Sequence, residues 1–164
     1  QGFNFNLDKG SDFVPNSIPQ FAFTGMFYKD IRNPYQFLNC LCSIPQDFVF
    51  HIYTPYTDLI EEFIPKLGCK IKIHPVIPRK NLLIELKKMD FVVNLANVQS
   101  PNQIPSKLID YAIVQKPILN VHPNEVDKKV ILEFLNGDYR NAFVVDNVEQ
   151  YHIKNVVKKF INLV

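Results

Sequence analysis

The sequence predicts an α/β fold, a Rossmann-like doubly wound parallel sheet of about six strands flanked by helices. Three observations carry this. A chain of 164 residues is long enough for one domain with a sizeable core. Its composition, 47% hydrophobic and 13% aromatic, belongs to a packed protein and argues against disorder. From residue 20 onward, short apolar runs alternate with segments of helical spacing, the pattern of βαβ units.

Residues 1–19 are polar, with Gly2, Gly10, Pro15 and Pro19 and no periodicity, and read as a linker or lead-in arm. Residues 20–164 read as one domain. Phe21 to Thr24 is a first strand ending at Gly25. Pro34 to Ser43 has helical spacing through Phe37, Leu38 and Leu41. Phe48 to Tyr53 is an aromatic-rich strand. Thr57 to Leu67 places Leu59, Ile60, Phe63 and Ile64 on one helical face, and Gly68 can end it through a left-handed cap. Lys70 to His74 alternates, with Ile71 and Ile73 on one side. Pro78 to Met89 is helical. Asp90 to Leu95 is a strand around Phe91-Val92-Val93. Apolar residues at 104, 108, 109, 112 and 113 make a helical face that Lys116-Pro117 ends, and Ile118 to Val121 follows as a strand. Glu125 to Asn136 is a helix stopped by Gly137. Ala142 to Val145 is a sixth strand, and Val148 to Val164 a last helix.

Ligands of such sheets bind at the carboxyl ends of the strands, beside the switch point. The loops of interest are then 25–33, 74–78, 95–106 and 120–124. Gly25 lets backbone amides approach a phosphate, or is a plain turn glycine. Arg32 can reach a diphosphate bidentately, or is a surface arginine with Asn33 capping the next helix. Ser106, Lys107 and Asp110 fall in the first turns of a helix that Pro105 suits as a first residue. Open amides and a partial positive charge there favour anions. Hydroxyl, amine and carboxylate together can hold a phosphate and a sugar hydroxyl. The competing reading is a capping Ser with two solvated charges. Asn97, Asn102 and Gln103 form a polar loop suited to sugar hydroxyls, or to helix capping.

Other chemistry finds little support. A net charge of +2 and scattered lysine pairs do not imply nucleic acid. No apolar run nears the roughly 20 residues that span a bilayer, and no signal peptide is present. Three cysteines, Cys40, Cys42 and Cys69, are badly spaced for zinc and fit a reducing cytoplasm. A start at Gln1 suggests a piece excised from something longer. His51 lies in an apolar strand and reads as a satisfied core histidine. His74 and His122 end strands at the ligand edge and are better candidates, while His152 reads as surface. No histidine pair has metal-ligand spacing, and no G-x-G-x-x-G, P-loop, H-E-x-x-H or C-x-x-C occurs.

Four stretches resemble the carboxyl-terminal domain of retaining glycosyltransferases of the GT-B fold, family 4 type. They are Gln1-Gly2-Phe3-Asn4-Phe5; Phe23-Thr24-Gly25-Met26 with Arg32-Asn33-Pro34; Lys88 to Asn94; and Pro105-Ser106-Lys107-Leu108-Ile109-Asp110-Tyr111 with Lys116-Pro117-Ile118-Leu119. Coverage is nearly the whole chain, and the last stretch is the most specific. The resemblance implies a domain that binds a nucleotide-sugar, UDP- or GDP-linked, without a metal. Asp110 stands at the second position of the family's Glu-x7-Glu motif and would hold the ribose. Asn102 stands at the first, towards the donor sugar, with Asn97 and Gln103 nearby. Arg32 matches the second member of the basic pair that holds the diphosphate, and Met26 replaces the first. Gly25, Ser106 and Lys107 would meet the same diphosphate. Pro75, Val76 and Ile77 fall near the base-binding loop.

The acceptor site would belong to an amino-terminal domain absent here, so the isolated chain is expected to be inactive. The implied setting is cytoplasmic, in cell-surface polysaccharide or glycan synthesis, with peripheral membrane contact open to a full-length protein. No catalytic residue is assigned. The alternatives are a non-catalytic Rossmann- or flavodoxin-like module that binds protein, and a sugar-nucleotide epimerase of the same fold.

Overall fold

A computed structural model describes residues 14–97 and 106–145. The elements run β1 (Gln20–Thr24), α1 (Tyr35–Cys42), β2 (Val49–Tyr53), α2 (Ile64–Leu67), β3 (Ile71–His74), α3 (Arg79–Lys87), β4 (Phe91–Leu95), α4 (Ser106–Ile113), β5 (Ile118–Val121) and α5 (Lys128–Leu135). The five strands form one sheet in the order β3-β2-β1-β4-β5, every pair parallel. The chain builds outward from β1 to β3, then crosses back to place β4 on the other side of β1. That reversal makes the β1–β4 boundary the switch point, where such sheets open a crevice.

Strand alternation sends two sets of side chains to two layers. Phe21, Phe23, Phe50, Ile52, Phe91 and Val93 face one side, where Phe37, Leu38, Phe63, Ile131 and Phe134 from the α1, α2 and α5 side cover them. Ala22, Val92 and Ile118 face the other, under Leu83 and Leu86 of α3 and Leu108, Ile109 and Tyr111 of α4. Register is marked by an aromatic row. Phe21 pairs directly with Phe50 on β2 and Phe91 on β4. Its ring stacks on both, with centroids 4.8 Å and 4.6 Å away. A one-residue slip would turn the whole row out of its layer.

The lead-in residues are tied to the sheet by Asp90. Its carboxylate accepts from the backbone N–H and side-chain amide of Asn16, each at 2.9 Å, and from the N–H of Gln20 at 2.7 Å.

Three expected elements differ. The helix expected from Thr57 to Leu67 is reduced to α2 between 3₁₀ turns at Glu61–Phe63 and Gly68–Lys70. Pro65 explains this, since it cannot donate to the preceding turn and its ring crowds the carbonyl four residues back. Helix α5 starts at Lys128 rather than Glu125, because the Asp127 side chain accepts from the N–H groups of Lys129 and Val130 as its N-cap. It ends as expected at Gly137 (φ 78°), where Asp138 N–H reaches Glu133 C=O at 2.9 Å and Gly137 N–H reaches Phe134 C=O at 3.1 Å.

The expected sixth strand, Ala142 to Val145, is a single antiparallel bridge from Phe143 to Ile118. Phe143 and Val144 stay 40% and 72% exposed, so too little apolar surface is covered to extend the pairing. The expected helix at 148–164 lies outside the described residues.

Phe21→Ala should destabilise the domain by about 3–5 kcal/mol, because it empties the centre of the aromatic row. Chemical denaturation of both proteins measures this.

Candidate functional site

At the carboxyl edge of the sheet, across the switch point, lies a cavity of about 650 Å³. That is a size typical of small-molecule sites. Its floor is the end of β1 and the loop beyond it: Thr24, Gly25, Met26 and Arg32. The first turns of α4 form one wall with Ser106, Lys107 and Asp110, joined by Asn97 after β4. Tyr53, Val76, Ile77 and Leu82 close the other side. Five residues expected to meet diphosphate or ribose (Gly25, Arg32, Ser106, Lys107 and Asp110) thus share one cleft, with Asn97, Val76 and Ile77. Pro75 is exposed and does not line it. Asn102 and Gln103 lie outside the described residues.

The floor is built from β1. Thr24 is the last strand residue, and Gly25 turns the chain away with φ 109°. Few side-chain-bearing residues adopt that angle. Gly25 N–H still donates to Tyr53 C=O at 2.9 Å, so the turn stays attached to β2. A Cβ on Gly25 would meet no atom within 4 Å, which leaves its backbone open to the cavity. Beyond it, Tyr28 and Arg32 pair in a one-bridge hairpin. The Arg32 guanidinium lies 5.1 Å from the Tyr28 ring centre. Its Nε is buried without a partner among the described residues.

Tyr111 sets the angle of α4. Its hydroxyl accepts from Thr24 N–H at 2.9 Å and donates to Val93 C=O at 3.1 Å. Burial pushes its hydroxyl pKa up, so it stays protonated. The β1–β2 ladder continues to Thr24, but the β1–β4 ladder ends at Ala22 and Val92. The phenol therefore bridges two strands that have begun to part.

Lys107 and Asp110 are not solvated charges. Lys107 is only 8% exposed, and its Nζ sits 4.2 Å from the Phe23 ring centre with no hydrogen-bond partner among the described residues. Burial drives its pKa well below the ordinary lysine range, and nearby Arg32 adds to the shift. The Asp110 side chain is 16% exposed and forms an ion pair with Arg79 at the start of α3. Both Arg79 Nε, at 2.8 Å, and a terminal guanidinium nitrogen, at 2.6 Å, reach the same oxygen, Oδ1. Burial raises the Asp110 pKa, while Arg79 pulls it down and offsets only part of that rise. Arg79 had no local motif to mark it, and Tyr111 lay in the Pro105–Tyr111 stretch with no role of its own to read, since each acts on a partner far away in sequence.

His51 is satisfied, as expected. Its ring bonds Gln20 Oε1 at 3.2 Å and His74 Nε2 at 2.9 Å. Burial first, then His74 and Lys72, lower its pKa to about 4. His74 stacks on Tyr53 at 4.5 Å and so backs the cavity wall without lining it. His122 is exposed and accepts from Asn124 N–H at 3.4 Å. Among the described residues no group of three or more His, Cys, Asp or Glu side chains is placed to hold a metal ion. Nor is any of their helices long and apolar enough to cross a membrane.

In fold, the chain is similar to a solved glycosyltransferase structure. The likeness is to the solved apo form of WaaB, a lipopolysaccharide outer core galactosyltransferase. The TM-score is 0.68 at 11% identity, over 97% of this chain and 53% of that one. This chain therefore spans about half the length of that enzyme. No family model and no curated protein matches it.

Two outcomes follow for stability. Tyr111→Phe leaves Thr24 N–H and Val93 C=O without their shared partner and should cost about 1–3 kcal/mol in denaturant unfolding. Lys107 has a folded pKa below its unfolded value of 10.5. The unfolded chain therefore takes up its proton first as pH falls, and stability is lost from about pH 10.5 downward to the folded pKa. Lys107→Met should raise Tm by a few degrees at neutral pH, with the gain shrinking as pH climbs towards the unfolded value. Thermal melts at neutral and alkaline pH test this.

Proposed function

We propose that this chain is the donor-binding domain of a glycosyltransferase, which transfers a sugar from a nucleotide-sugar to an acceptor. The observation that carries the reading is the meeting of Gly25, Arg32, Ser106, Lys107 and Asp110 in one cavity at the switch point. The Arg32 cation, the buried Lys107 amine, an open glycine backbone and a helix start suit a diphosphate. Asp110, one turn along α4, suits the ribose hydroxyls, and Val76 and Ile77 an apolar base edge. Asn97 faces the remaining space, where the sugar would sit. The departing nucleoside diphosphate gains negative charge as the glycosidic bond breaks, and Arg32, Lys107 and the backbone amides would stabilise it. A buried amine without a partner suits an anion as its missing partner.

The acceptor would be supplied by a second domain, in keeping with the span of about half of WaaB. A saccharide acceptor in cell-surface polysaccharide synthesis, handled in the cytoplasm, is the setting this reading favours. Closure of two domains normally completes such a site. The chain alone should therefore bind UDP or GDP weakly and transfer no sugar.

Calorimetric titration with UDP and GDP is the test. Asp110→Ala removes a charge-assisted hydrogen bond worth roughly 1.5–3 kcal/mol, so affinity should fall about tenfold to a hundredfold. A folded wild-type chain that binds neither nucleotide would end this reading and favour a protein-binding module. Conversion of a nucleotide-sugar without acceptor would point instead to an epimerase.

A further inference from the structure

The carboxylate assigned to ribose is not free in the cavity. Arg79 approaches it from α3, and both of its contacts to this carboxylate fall on Oδ1. Oδ2 takes no bond from any described residue. We propose that Arg79 is a positioning residue for this site: it occupies one oxygen of Asp110 and presents the other, Oδ2, to the ribose hydroxyls of a bound nucleotide. This rests on the donor-binding reading above.

The geometry supports positioning in three ways. Asp110 stands on the second turn of α4 and Arg79 at the first residue of α3, so the pair joins the two helices that flank the cavity. A carboxylate whose two oxygens do different work cannot rotate freely about its last bond, and its remaining acceptor points one way. The Arg79 side chain is 35% exposed against 16% for Asp110, so the cation reaches in from outside to meet a more enclosed anion. An enclosed anion left without its cation prefers to take a proton.

The pair also sets the local charge. Arg79 and Asp110 offset each other as an ion pair, and Arg32 is the charged group that acts on Lys107. Among the described residues, the charged group that faces Asp110 from another element is Arg79. On its own helix, Lys107 lies one turn before it and Tyr111 lies next to it.

The test uses the chain with Arg79→Ala and Arg79→Lys. Carbon NMR of the Asp110 carboxyl gives its titration without ligand. In Arg79→Ala it should titrate at higher pH than in wild type, and Arg79→Lys should restore part of the difference. Calorimetry with UDP and GDP at about pH 8 and about pH 5 gives the consequence. Arg79→Ala should bind about tenfold more weakly near neutrality, and should lose affinity from a higher pH as pH falls, because a protonated carboxyl accepts poorly. The 2′,3′-dideoxynucleoside diphosphates, which lack the ribose hydroxyls, should bind wild type and variant alike. If Arg79→Ala does not fold, Arg79→Lys carries the same measurements, since a lone ammonium cannot reproduce the fork.

Tighter nucleotide binding by Arg79→Ala would overturn the proposal and make Arg79 a competitor for the carboxylate. An unchanged Asp110 titration with unchanged affinity would remove the role of Arg79 and leave the donor-binding reading standing. A wild-type chain that binds no nucleotide would instead defeat that reading, and the inference with it.

Discussion

The phenol of Tyr111, set between β1 and β4, is the constraint on which the site depends. A parallel sheet can open a crevice only where neighbouring strands separate, and separation strips backbone groups of their partners. Here the Thr24 N–H and Val93 C=O would both be stranded. One hydroxyl serves them, accepting from the first and donating to the second. Because that hydroxyl comes from α4, the same bond fixes where the helix begins relative to the Gly25 turn. The spacing between Gly25 and the α4 side chains that line the cavity follows from it.

The cavity also holds a group that weakens the empty domain. A buried amine over the Phe23 ring, with Arg32 nearby, is poorly placed for folding alone. Other enclosed positions show the more usual solution. Asp90 is equally enclosed but accepts three hydrogen bonds, and His51 is bonded at both ring nitrogens. The contrast singles out Lys107 as a residue kept for something other than stability, because real proteins break such rules mainly at functional positions.

Much of the fold was legible because strands buried on both faces read as continuous apolar runs. Strands β1, β2, β4 and β5 fall within about a residue of their expected limits. The helices were less so. Pro65 broke one whose apolar spacing was sound, and Asp127 fixed a start that spacing alone put earlier. Ala142 to Val145 carried strand-like residues but no layer to bury them. At the site, residues in a local pattern could be named, such as Ser106, Lys107 and Asp110 in successive turns. The roles of Arg79 and Tyr111 could not. The first answers a carboxylate 31 positions away and the second an amide 87 positions away, and no periodicity encodes such pairs.

Strand order has a consequence for how the molecule comes into being. The central strand is made first, and its partners arrive later in the chain. Phe21 can meet Phe50 once a short crossover is complete, yet must wait for Phe91 until α3 exists. Tyr111 comes later still, and the loop that its bond to Thr24 closes is among the longest in the domain. Contacts of wide sequence separation form late because ordering the intervening chain costs entropy. The crevice thus takes shape late in synthesis, and a nascent chain interrupted before α4 would carry four of the five strands, with the β5-facing edge of β4 open and the layer that α4 covers bare.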